Sequence, residues 1–153
     1  MRVVSVEPAG TSLRIGVTVS TFNAAITDDL LEGALSELKG LEVDEVTVLA
    51  VSGALELPVA ALRLIESGCD AVIAIGAVIK GETDHYELVA QTSARALTEV
   101  SVKTGAPVAN AVLAVREYEH AIERSRPGPG NKGAEAAFAA VDLARKLAAL
   151  QSR

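Results

Sequence analysis

Apolar residues along this chain fall into short continuous runs separated by longer stretches with helical spacing. The runs at residues 13–19 (LRIGVTV), 46–51 (VTVLAV), Ala71–Ile79 (AVIAIGAVI) and Val108–Val115 (VANAVLAV) are rich in branched side chains and read as strands. Between the first two, Leu30, Leu31, Ala34, Leu35 and Leu38 recur on one face and predict a helix over 27–39. Thr27 or Asp28 is its expected N-cap, and Gly40 ends it. A second helix begins after the turn 52–58 (SGALELP), where Pro58 suits a first helical turn, and ends near Gly68. A third covers 88–104 and stops at Gly105-Ala106-Pro107. A short helix over 117–124 and an Ala-rich one over 132–149, capped by Asn131, flank the Pro/Gly loop 125–133. Strands that alternate with helices predict an α/β fold: a parallel sheet of about four strands, right-handed crossovers and helices on both faces. Residues 2–6 are apolar but cut off by Pro8 and Gly10, so they are expected to pair only with a sheet edge, in this chain or a neighbouring subunit.

The length of 153 residues fits a single domain, and no repeat or linker divides it. A formal net charge of −6 with no basic block argues against nucleic acid as a partner. Cys69 is the only cysteine, which excludes a disulfide framework and a cysteine metal site. The N-terminus lacks a signal-peptide pattern and no apolar run would span a bilayer, so the expectation is a soluble cytoplasmic protein.

Candidate chemistry gathers at the ends of the strands, where open α/β sheets bind ligands. The stretch 76–87 (GAVIKGETDHYE) runs from the third strand into a helix. Gly81 permits close approach of the backbone, Thr83 offers a hydroxyl, and a helix start favours an anion. His85 can exchange protons near neutral pH. These residues read as a phosphate pocket with a proton shuttle, or as a turn in which Thr83 or Asp84 caps the helix and His85 is solvated. Phe22, in the loop STFN, either stacks on a planar ligand or plugs the core. Glu56 either accepts hydrogen bonds from a ligand or faces the helix dipole. Asn110 interrupts an apolar strand; a buried Asn needs partners, from backbone or ligand. Arg124, Arg126 and Lys132 surround the Gly-rich loop, either to hold an anion or to complete a helix end.

Taken together, STFN followed by ITDDLLEGA, then SGALELP, GAVIKGETDHYE, TGAPVANAVL, AIER and GNKGAEAA, in that order and at that spacing, resemble the lumazine synthase family of the riboflavin pathway. The resemblance covers nearly the whole chain. It implies a three-layer flavodoxin-like sandwich with a four-stranded parallel sheet, and an N-terminal strand that joins a neighbouring subunit. It implies condensation of 5-amino-6-ribitylamino-uracil with 3,4-dihydroxy-2-butanone 4-phosphate, without a metal or redox cofactor. On that basis Phe22 stacks on the pyrimidine, and Ala54, Leu55 and Glu56 hold the ribityl chain. Ala77, Val78 and Ile79 read the pyrimidine edge, and Asn110 stands where the family commonly has Phe. Glu82 and Thr83 form the phosphate-binding turn, His85 transfers protons, and Arg124 with Lys132 binds the phosphate.

The resemblance further implies a site shared between subunits and an obligate homo-oligomer, a pentamer or a 60-mer shell, with riboflavin synthase as a candidate partner. The chain departs from the family at Ser52, Lys80, Asp84, Ala114-Val115-Arg116, Pro127 and Pro129. Two other readings compete: a related archaeal-type riboflavin synthase, or a shell subunit without catalysis.

Overall fold

Four all-parallel strands make the sheet in the computed structural model, which describes residues 1–152. In chain order the elements are β1 (Arg14–Ser20), α1 (Ala24–Gly40), β2 (Glu45–Val51), a 3-10 turn at Ala54–Glu56, α2 (Leu57–Glu66) and β3 (Ala71–Ile79). They continue as α3 (His85–Thr104), β4 (Val108–Val115), α4 (Tyr118–Ser125) and α5 (Lys132–Gln151). The strands lie in the order β2-β1-β3-β4. Helices α1, α4 and α5 cover one face, around Ile15, Val17, Ile73, Ile75 and Leu113. Helices α2 and α3 cover the other, around Leu57, Leu64, Val72, Ala74 and Leu97. This is the α/β three-layer arrangement, consistent with a flavodoxin-like sandwich. Among the described residues no helix is long and apolar enough to cross a membrane.

Strand β3 shows why the apolar runs are continuous. It is paired on both sides, to β1 and β4, and covered on both faces, so eight of its nine residues are buried. Side chains such as Ile73 and Ile75 each contribute about 1.5–3 kcal/mol by leaving water. The small residues of α5 answer a different constraint. A Cβ on Gly133 would run into the carbonyl of Leu30, so α1 and the start of α5 approach as closely as they do only with glycine there.

Several expectations need correction. Helix α1 starts at Ala24, three residues early, because Asn23 adopts a left-handed conformation (φ 59°) and its carbonyl accepts from Ile26 N and Thr27 N. Asn tolerates that geometry better than most residues. Thr27 is therefore not a cap; it is buried on the inner face and its hydroxyl has no hydrogen-bond partner. Asp28 lies within the helix as well. Helix α3 begins at His85 rather than 88, and neither Asp84 nor any other side chain caps it in the usual way. Strand β2 is an edge, with Val48 45 % exposed, because no helix covers it fully. Asn110 is exposed on the opposite edge strand, β4, rather than buried, and its Oδ1 accepts from Val112 N at 2.8 Å. Residues 2–6 form no strand with their own chain, and Val3 is 78 % exposed. Asn131 caps α5 as expected, accepting from Ala134 N at 3.0 Å.

Candidate functional site

Because the strands are parallel, Ser20, Val51 and Ile79 end at one margin of the sheet, and the loops that follow them converge there. They enclose a cleft of about 450 Å³ lined by Phe22, Ala54, Leu55, Glu56, Ala77, Val78, Ile79, Gly81, Thr83 and His85, among others.

The loop after β1 is braced on both sides. Thr21 N donates to Val51 O at 2.8 Å, and Asn23 Nδ2 donates to Ala77 O at 2.8 Å. Ser20 is buried and its hydroxyl accepts from Phe22 N at 3.2 Å. These bonds turn Phe22 out of the core; at 68 % exposure it is no core plug, and its ring is available to a ligand. Across the cleft, Glu56 closes the 3-10 turn at the start of α2 and is exposed. Ser52 Oγ donates to its Oε1 at a long 3.5 Å. The turn 81–84 is exposed throughout, and Thr83 Oγ1 accepts from His85 N at 3.4 Å. The first N–H groups of α3 have no carbonyl within their own helix to receive them, which suits an anion. His85 opens α3 and lines the cleft. Glu82 is exposed beside the cleft but does not line it.

The other three candidates are elsewhere. Asn110, Arg124 and Lys132 line a separate cleft of about 520 Å³ along the edge of β4, between it and helices α4 and α5. Arg124 is half-buried; its Nη1 donates to His120 O at 3.0 Å and lies 3.7 Å from Glu123. Lys132 Nζ donates to Glu135 Oε2 at 2.8 Å. The candidate residues thus fall at two clefts, one apolar and polar by turns with a histidine, the other lined by Arg124 and Lys132.

The match with known proteins decides the family. The family model for 6,7-dimethyl-8-ribityllumazine synthase matches residues 12–148. The chain belongs to this family. Lumazine synthases work in riboflavin biosynthesis as transferases, on small-molecule substrates, and assemble as homo-oligomers.

A larger cleft of about 610 Å³ lies between α1, α5 and residues 127–130, but none of the candidate residues lines it. Asp29, Glu32, Glu37 and Glu135 line it with no Lys or Arg, which disfavours a phosphorylated substrate. Sequence reasoning missed Ser20, Asn23, Tyr86 and Val89. Ser20, Tyr86 and Val89 line the first cleft and Asn23 braces it. Ser20 and Asn23 frame the loop STFN, so the motif pointed to them; Val89 gave only the signal of a core position.

Proposed function

We propose that this protein is a 6,7-dimethyl-8-ribityllumazine synthase that condenses 5-amino-6-ribitylamino-uracil with 3,4-dihydroxy-2-butanone 4-phosphate between neighbouring subunits. The observation that carries this is the division of the candidate residues: those suited to the pyrimidine and to proton transfer share one cleft, and the cations suited to phosphate share another. A neighbour's second cleft laid over the first completes the set.

In the assembled site, the Phe22 ring stacks on the pyrimidine and the backbone of Ala77, Val78 and Ile79 meets its polar edge. Ala54, Leu55 and Glu56 receive the ribityl chain, with the Glu56 carboxylate accepting from its hydroxyls. Arg124 of the adjoining subunit binds the phosphate, with Lys132 and the backbone of the Glu82–Thr83 turn at α3. Asn110 closes the site from the neighbour's edge strand. The 5-amino group of the pyrimidine attacks the ketone and water leaves as the imine forms. Phosphate is then eliminated, and the ribitylamino nitrogen closes the ring with loss of water. His85 moves protons in these steps. Both substrates are reactive, so holding them together supplies much of the acceleration. The cations and the helix start stabilise the charge on the departing phosphate.

The test is to mix the purified protein with both substrates and follow lumazine absorbance and released phosphate. Equal formation of both supports the reading. Absence of turnover, or conversion of lumazine to riboflavin instead, refutes it.

A further inference from the structure

The two candidate cations stand at either end of one exposed loop. Arg124 is on the last turn of α4 and Lys132 is the first residue of α5. The loop itself cannot hold them in register: residues 126–130 are exposed, and Gly128 and Gly130 sit at φ of 98° and 89°. Asn131 is the exception, 2 % exposed and fully engaged. Its Nδ2 donates to Ser125 O at 2.7 Å, and at 3.3 Å to both Arg126 O and Asp29 O. Its Oδ1 accepts from Ala134 N at 3.0 Å. One amide therefore joins the end of α4, the start of α5 and the body of α1. Its neighbours leave it no other place. A Cβ on Gly33 would overlap the Asn131 amide, and one on Gly133 would lie 3.1 Å from its Oδ1 as well as striking Leu30 O.

We propose that Asn131 is a positioning residue that sets the spacing and orientation of Arg124 and Lys132, and through them the phosphate affinity of the site. The inference rests on the proposed function, in which those cations receive the phosphate, and extends it to a side chain that touches no substrate. A guanidinium binds phosphate through a fork of fixed geometry, so rotation of the α4 terminus relative to α5 loosens it without removing any charge. Aspartate at 131 keeps the bond to Ala134 N but sets a carboxylate oxygen against three carbonyls. Serine keeps the cap and removes all three Nδ2 bonds.

The experiment compares the wild-type oligomer with Asn131→Asp, Asn131→Ser and Gly33→Ala, which displaces the amide without changing it. Steady-state kinetics are read for each substrate separately, and inorganic phosphate is titrated directly by calorimetry. In the folded variants, the KM for the phosphorylated ketone and the Kd for inorganic phosphate rise about ten- to a hundredfold, while the pyrimidine KM stays within about twofold. Unchanged phosphate binding in a folded Asn131→Ser protein overturns the proposal, as does a parallel rise in both KM values. Failure of all three variants to fold would make Asn131 purely structural and also overturn it. If the wild type forms no lumazine, the functional reading falls by itself, and the calorimetry still decides. Phosphate binding abolished by Arg124→Ala and weakened by Asn131→Ser supports the proposal; no phosphate binding by the wild type overturns both.

Discussion

The Asn23 side chain donates to the carbonyl of Ala77 at 2.8 Å, and this bond ties the loop that carries Phe22 to the strand that floors the first cleft. Asn23 also holds φ at 59°, so it performs two tasks that substitution can separate. Asn23→Gly keeps the backbone geometry and loses the bond; Asn23→Ala loses both. Asn23→Gly is expected to raise the pyrimidine KM about tenfold, the equivalent of one part-buried hydrogen bond, with little change in melting temperature. Alanine is expected to add a further loss of about 1–2 kcal/mol of stability for the left-handed backbone. Kinetics with varied pyrimidine and a denaturant titration read the two effects.

Arg124 is held by its own helix, through Nη1 to His120 O, and faces the second cleft. Arg124→Ala is expected to abolish most turnover, and Arg124→Lys to recover part of it, since lysine lacks the bidentate fork. Near-normal KM for the phosphorylated ketone in Arg124→Ala would shift the anchor to Lys132 or Arg126.

His85 lines the first cleft at the opening of α3. Loss of its imidazole leaves the positioning of both substrates in place. His85→Ala is expected to slow turnover by about ten- to a thousandfold, within or below the usual range for acid–base assistance. A pyrimidine analogue titrated against the variant should bind as before; loss of that binding would make His85 structural.

Asp44 gives the molecule an acid-sensitive tie. The Ser12 hydroxyl, at 2.6 Å, and then the Leu13 N–H, at 2.8 Å, donate to its Oδ2 and hold its carboxyl below the usual carboxylate range. A depressed folded-state pKa contributes stability that is complete above the unfolded value, near 4, and lost as pH falls through the lower folded value. Asp44→Asn should therefore be less stable than wild type at neutral pH, with the gap closing on acidification below about pH 4. Thermal melts of the two proteins across that range check it; a gap that stays constant would mean the carboxylate plays no part.

The exposed edge strand β2 and the unpaired residues 2–6 bear on assembly. Strand β2 leaves Val48 and Leu49 exposed, and residues 2–6 of the same chain find no strand partner within it. We expect residues 2–6 of one subunit to pair beside β2 of the next, in a pentamer at minimum and in a closed shell of pentamers. Electron microscopy and light scattering should show uniform particles near a megadalton, and a single pentamer-sized species in all conditions would rule the shell out. Deleting the first eight residues should leave pentamers intact.

The sheet was legible because each strand is a short, nearly continuous apolar run, which β3 buries on both faces; Ala71–Ile79 and Val108–Val115 have the bounds the sequence suggests. The strand at 46–51 was legible too, but its place at the edge was not. This edge strand is as apolar in sequence as a central one, so composition cannot tell β2 from β3. Helix starts were less legible, because Asn23 sets the start of α1 by backbone conformation and Thr27 only looks like a cap. Phe22 and Asn110 were ambiguous for one reason: burial depends on where the loop and strand lie, and spacing alone does not show it. The division of the candidate residues was not readable from spacing either, since Asn110 and His85 flank a single helix in the sequence but line different clefts.

That division has an arithmetic consequence. In the proposed shared site each chain would offer one half of two different sites, so a row of such chains with free ends would always leave an unmatched half at either terminus. Only a ring gives as many complete sites as chains. Closure of the ring is then worth turnover as well as stability, and a substitution at a contact far from any substrate can lower the yield of active centres simply by leaving the circle open.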